Sequence, residues 1–431
     1  MKFSKLTVSV LLALGVQASA QATDLIEIYQ AAQGQDAVFA SARAAQQAGQ
    51  EKLTQGRSLM LPSVNLSANT TYNDLNSPLL VKKYNSHGYA VSVVQPLFRE
   101  QNWATYQQSD LQVAISEAQF KLAEQDVILR SAQTYFDVLI AQDTVQLTNA
   151  QKTAISQQLE QAKRNFEVGT ATITDTHEAQ ARFDLVVAQE IAAANNLEIK
   201  KRTLQQLVNA DVKELNTLGQ GFKLESPNPA DAQKWVADAQ RGNYQIVMAQ
   251  AAEALAEQEV AKNRGGHLPT LDAVGSYSNT TGCSFSCGDT KSTSVGLQLN
   301  MPLFAGGATQ SKWREAEANH EKAKQDLENA RRNVELQTRQ AYLGVVSGIA
   351  QVQALQQALK SSESLLQASK LGQEVGVRTS LDVLNAQQQM YSTRRDLYQA
   401  EYNYLISHLR LKAAVGNLAE ADISQVNKAL H

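Results

Sequence analysis

The side chains that usually carry chemistry are sparse in this sequence and stand apart. Six histidines (His87, His177, His267, His320, His408 and His431) are scattered over 431 residues, and no two have the spacing of paired metal ligands. His177-Glu178 lacks the second histidine that completes a zinc-protease helix. Gly306-Gly307 sits where a strand passes into a helix, but no Lys-Ser/Thr follows to bind phosphate. Cys283 and Cys287 frame a turn-rich segment with neither a second Cys pair nor a nearby His. In an oxidising compartment that pattern favours a small loop disulfide over free thiols or a metal site. No catalytic residue, cofactor or metal is expected, and the chain does not read as an enzyme. What remains is charge beside two glycine breaks: Asp175 after Gly169, and Arg378 and Asp382 after Gly376. Such groups suit ion selection, because rings of like carboxylates favour cations.

The elements that hold these residues occur twice. Leu61-Pro62-Ser63-Val64 recurs as Leu268-Pro269-Thr270-Leu271, 207 positions on. At the same offset Val168-Gly169-Thr170 and Thr174-Asp175 recur as Val375-Gly376-Val377 and Leu381-Asp382. Gln95-Pro96-Leu97-Phe98 recurs as Met301-Pro302-Leu303-Phe304, one residue closer. The chain therefore divides into repeats of residues 21–226 and 227–431, joined near Ser226-Pro227-Asn228-Pro229. Of the seven prolines, none lies between Leu97 and Ser226 or between Leu303 and His431. Those stretches are rich in Ala, Gln, Glu and Leu, with apolar residues at helical spacing (Ile155, Leu159, Ala162 and Phe166). Each predicts an outgoing helix of roughly 70 residues, ~105 Å long, turned back at Gly169 or Gly376, with Asp175 and Ser380 as caps of the return helices. Pro62, Pro96, Pro269 and Pro302 mark the strand-helix junctions. Between them Val64, Leu66, Ala68, Thr70 and Tyr72 alternate with polar residues, as do Thr293, Val295, Leu297 and Leu299, giving strands of about ten residues with one apolar face.

Composition sets the compartment. Lys2 and Lys5, the apolar run Leu6–Val16 and Ala18-Ser19-Ala20 form a secretory signal covering residues 1–20. A formal net charge of −3 gives no attraction to nucleic acid. A mean hydropathy of −0.33 excludes a bundle of membrane-spanning helices. Strands remain as the route into a membrane. Four cannot close a barrel, and an open edge cannot lie in lipid, so three chains giving twelve strands, or four giving sixteen, must associate. The competing reading is a periplasmic or surface coiled-coil scaffold without a pore.

The order Leu-Pro, two strands, Pro-Leu-Phe, then Phe166-Glu167-Val168-Gly169 through Ile173-Thr174-Asp175, repeated in the second half, resembles the TolC family of outer-membrane efflux channels. Gly266-His267-Leu268-Pro269-Thr270-Leu271-Asp272, Val375-Gly376-Val377-Arg378-Thr379 and Tyr402-Asn403-Tyr404-Leu405-Ile406 carry the likeness further. It implies an α+β homotrimer: a twelve-stranded outer-membrane β-barrel continued by a periplasmic α-helical barrel. It implies a passive exit duct for small molecules or unfolded proteins, with outer-membrane lipid around it. A periplasmic membrane-fusion adaptor and an inner-membrane pump of RND, ABC or MFS type are the implied partners. The adaptor would meet the turns at Val168, Gly169, Thr170, Val375, Gly376 and Val377. The resemblance further implies that Arg378 bonds Thr174 and Asp175 to hold the aperture shut and that Asp382 lines the constriction. Asn385 stands where the family has a second Asp, and Gln373 where it has a latch tyrosine, which implies weaker cation selectivity and fewer closing bonds.

Overall fold

A computed structural model describes residues 23–77, 80–211, 214–219, 222–283 and 287–430. The expected signal segment lies outside them. Two short helices open the first repeat, α1 (Leu25–Gln35) and α2 (Ala37–Ser58). Asp24 and Asp36 cap them by accepting backbone N–H groups. A hairpin follows, β1 (Ser63–Ser77) and β2 (Leu80–Phe98), then α3 (Glu100–Glu167) and the return helix α4 (Ile173–Val208). The second repeat has α5 (Ala232–Gly242), α6 (Tyr244–Arg264), β3 (Thr270–Cys283), β4 (Cys287–Asn300), α7 (Ala308–Glu374) and α8 (Ser380–Val415). A last helix, α9 (Glu420–Asn427), has no counterpart among the described residues of the first repeat. At 68 and 67 residues, α3 and α7 are each about 100 Å long.

The helices run close where side chains are small. A Cβ on Gly49 would lie 2.3 Å from Ser116 Oγ, and one on Gly56 2.2 Å from Ser109 Oγ, so α2 presses directly on α3. The main apolar core forms a collar part-way along the long helices. Leu25 and Ile28 (α1), Tyr135, Phe136 and Leu139 (α3), Leu409 (α8) and Ile423 (α9) are fully or almost fully buried there. Each such side chain contributes roughly 1.5–3 kcal/mol. Irregular chain completes the collar: Thr23 bridges Leu215, Leu218 bridges Leu430, and the Tyr135 hydroxyl donates to the Asn216 carbonyl at 2.8 Å.

All four strands form one antiparallel sheet in the order β1-β2-β3-β4. They are 15, 19, 14 and 14 residues long, not about ten. The apolar alternation stops near Tyr72, but the ladder runs on through polar pairs such as Asp74↔Lys83, whose side chains form an ion pair at 3.0 Å. Residues paired across the sheet share a face. Val64, Val93, Gly275 and Val295 make one row and Leu66, Val91, Tyr277 and Thr293 the next. The opposite face carries Asn65, Ser92, Ser276 and Ser294, with the last two hydroxyls 2.7 Å apart. On the apolar face Val295 is 88% and Leu297 70% exposed in the single chain. Among the described residues the outer edges of β1 and β4 pair with no strand.

Pro62 and Pro269 directly precede β1 and β3, and Pro302 follows β4. Pro96 differs from expectation: it lies inside β2 at a register shift against β3, where its missing N–H does not interrupt the ladder. Just beyond, Arg99 grips Asp272 of the other repeat bidentately, with Nε to Oδ1 at 2.7 Å and Nη2 to Oδ2 at 2.5 Å. Cys283 and Cys287 are backbone partners at the tip of the β3-β4 hairpin; their expected disulfide lies outside the described side chains.

Candidate gate at the helix tips

At the far end from the sheet, the two helix turns are near copies. After α3, Val168 is followed by Gly169 at φ +78°, and Thr170 N–H returns to the Asn165 carbonyl at 2.8 Å. After α7, Val375 is followed by Gly376 at φ +79°, and Val377 N–H returns to the Gly372 carbonyl at 2.8 Å. The left-handed backbone at these positions is the reason both are glycine.

The caps are not Asp175 and Ser380. Thr172 and Thr379 cap the return helices, and Asp175 and Asp382 complete capping boxes three residues later. Thr172 N–H and hydroxyl donate to Asp175 Oδ2 at 3.0 and 2.8 Å; Thr379 does the same to Asp382 at 2.9 and 2.9 Å. Thr is a good cap because its hydroxyl can accept the N–H three residues ahead while the aspartate reaches back. These bonds from Thr379, more than the nearby Arg378, hold the Asp382 carboxyl below its usual range.

Arg378 also departs from expectation. Within one chain its guanidinium faces Asp382 at 3.7 Å, one turn on. Among the described residues no ion pair or hydrogen bond joins it to Thr174 or Asp175, which sit in the first turn of α4. Its stem instead lies over Gly372. Gln373 donates to the Ser380 hydroxyl at 3.0 Å, closing the second turn from inside. Around both turns the surface is apolar: Val168, Val375 and Val377 are 73, 65 and 76% exposed.

The family model for outer membrane efflux proteins matches the sequence twice, over residues 28–210 and 235–417. The chain belongs to this family. As an outer membrane efflux protein it is an exit duct of the outer membrane whose helical part stands in the periplasm. It is 33% identical over 424 residues to outer membrane protein TolC of Vibrio cholerae serotype O1, covering 97% of this chain and 96% of that one. It is 33% identical over 423 residues to the alkaline protease secretion protein AprF of Pseudomonas aeruginosa, covering 94% and 87%. Its fold matches the crystal structure of the Campylobacter jejuni CmeC outer membrane channel with a TM-score of 0.81 at 17% identity, covering 100% and 98%.

Two polar groups of this efflux protein were not visible as sites in the sequence. Arg182 of α4 bonds across to α8. Near the collar, the Tyr402 hydroxyl donates to Asp143 at 2.9 Å, and burial pushes the neighbouring Glu401 carboxyl up to about 7. Their partners lie up to about 260 residues away, so no local spacing signals them.

Proposed function

We propose that three chains join their sheets edge to edge into a twelve-stranded barrel, and that the duct it forms narrows at the helix tips. The observation that carries this reading is an open four-stranded sheet, apolar on one face and hydroxyl-rich on the other, mounted on helices about 100 Å long. The apolar rows face lipid, the hydroxyl face lines water, and β1 of one chain completes β4 of the next. Residues 1–20 are removed on export, and the repeats divide at residues 226 and 227. Cys283 and Cys287 form a disulfide at the hairpin tip.

The tips are the gate. Asp382 supplies one carboxylate per chain to the constriction, and Arg378 closes it by reaching Thr174 and Asp175 of a neighbouring chain, since within one chain it reaches only Asp382. The exposed valines around Gly169 and Gly376, with Thr170, are the docking ground for a periplasmic membrane-fusion adaptor. An inner-membrane pump of RND, ABC or MFS type drives the cargo, either small molecules or unfolded protein. The apolar turn surfaces, the efflux role in the family's name and the protease-secretion role in a relative's support these assignments.

Purified protein in planar bilayers tests the reading. A small cation-preferring conductance that grows in Arg378→Ser is expected. Conductance that ignores the substitution removes the latch. No conductance, with release from membranes by carbonate, returns the chain to a scaffold.

A further inference from the structure

The return helices of the two repeats meet at one polar junction. Arg182, about two and a half turns into α4, spreads its guanidinium over α8. Nη1 donates to Gln388 Oε1 at 2.5 Å and Nη2 to Asn385 Oδ1 at 2.9 Å. Among the described residues these are the only hydrogen bonds between α4 and α8, and no ion pair joins them. The apolar packing beside them is slight: Ile155 of α3, Val186 of α4 and Leu384 of α8, with Phe183 against them. Asn385 and Gln388 are three apart on one helix face, so a single planar fork spans both. Asn385 is also three residues from Asp382, which makes them surface neighbours on α8.

We propose that Arg182 is a second latch of the aperture, closing within each chain, and that its charge tempers the aperture's preference for cations. The inference rests on the reading of the helix tips as the gate. Any widening that draws α4 from α8 must break both bonds together, two in each chain. Both acceptors are neutral amides, so no carboxylate offsets the guanidinium, and one of them, Asn385, stands one helical turn from Asp382. An aspartate at 385 would convert the latch into an ion pair and leave Arg378 as the cation facing Asp382. Lysine at 182 would carry the charge but has no planar fork to satisfy both acceptors.

Planar-bilayer recording of Arg182→Ala, Arg182→Lys, Asn385→Asp and the double variant Arg182→Ala/Asn385→Asp decides the matter, with Asp382→Asn as control. Arg182→Ala should raise mean conductance about fivefold, the factor that loss of ~1 kcal/mol of closing energy gives. It should also move the reversal potential toward cations. Arg182→Lys should keep the reversal potential and lose part of the closure. Asn385→Asp should lower conductance below wild type only while Arg182 is present. Should Arg182→Ala fail to assemble, Arg182→Lys and Asn385→Asp still decide by the same readouts. If the Arg182 and Asn385 variants all match wild type while Asp382→Asn shifts selectivity, the latch is wrong and the gate stands. If Asp382→Asn changes nothing either, the gate itself is misplaced and this inference falls with it.

Discussion

Gly372 lies directly beneath the side chain of Arg378. A Cβ at position 372 would stand 2.7 Å from Arg378 Cγ and 3.3 Å from its Cβ, both near the rigid root of the arginine. The missing side chain thus fixes where the guanidinium points. Gly372→Ala should push Arg378 off its pairing with Asp382 and raise channel conductance as is expected of Arg378→Ser, although the charge is retained. Equal conductance in Gly372→Ala and wild type would show that Arg378 needs no such seat.

Asp382 should stay ionised in acid. Its carboxyl is lowered first by the Thr379 backbone N–H and then by the Thr379 hydroxyl. A depressed carboxyl helps to hold the start of α8 above the ordinary carboxylate value, and loses that role only as pH falls through the lower folded value. Cation preference should therefore persist through pH ~4, the usual midpoint of a free aspartate. Thr379→Val should move its collapse to higher pH, as read from reversal potentials.

Glu401 has the opposite sign. Burial pushes it up to about 7; a Gln356 hydrogen bond pulls against this and Asp143 adds to it. The folded state binds that proton more tightly than the unfolded chain, so the stabilisation is complete in acid and is lost as pH rises through about 7. Glu401→Gln should melt higher than wild type at alkaline pH, by up to ~3 kcal/mol per chain, and the gap should close in acid. A gap independent of pH would mean that Glu401 is not the group responsible.

The Arg99–Asp272 pair ties the two repeats together where sheet meets helix. Asp272 keeps only 9% of its side chain exposed, and Arg99 keeps 37%. Removing the arginine leaves a buried carboxylate alone, at a cost of about 2–3 kcal/mol, less than the 3–5 of a fully buried pair because Arg99 is partly wet. Arg99→Ala should lower the yield of heat-resistant oligomer extracted from membranes, with Arg99→Lys intermediate. Normal yield from both would make the pair dispensable.

The two faces of the sheet should respond differently to charge. Val295→Lys places an ammonium on the apolar face, which costs ~2–4 kcal/mol near the bilayer centre. Ser294→Lys, one residue away on the hydroxyl face, should assemble normally. The comparison is made by quantifying protein in outer-membrane fractions, and equal assembly would overturn the assignment of faces.

Most of this architecture was legible because its signals are local or periodic. The offset of 207 between Gly169 and Gly376 also separates the starts of α4 and α8, Ile173 and Ser380, and their ends, Val208 and Val415. Strand length was less legible. Polar residues such as Asn73, Asp74, Lys82 and Lys83 carry no alternation, yet their backbones pair as well as those of valines. The caps were misread because aspartate and serine are good cap residues too, and only geometry separates Asp175 at the third helical position from Thr172 at the cap. The collar escaped notice because its bridges join residues as distant as Leu218 and Leu430. Arg182 escaped for the same reason, its partners being 203 and 206 residues away.

The collar grips α8 near Leu409, whereas its first residue, Ser380, lies at the tip. Each return helix has 36 residues and is therefore about 54 Å long. Such a rod is a lever with its fulcrum at the collar; the arm from Leu409 to Ser380 is about 44 Å, so one degree of tilt swings the tip by about 0.8 Å. Force applied at the valine-lined turns has the long arm, so a weak push at the tip delivers a large torque to the collar.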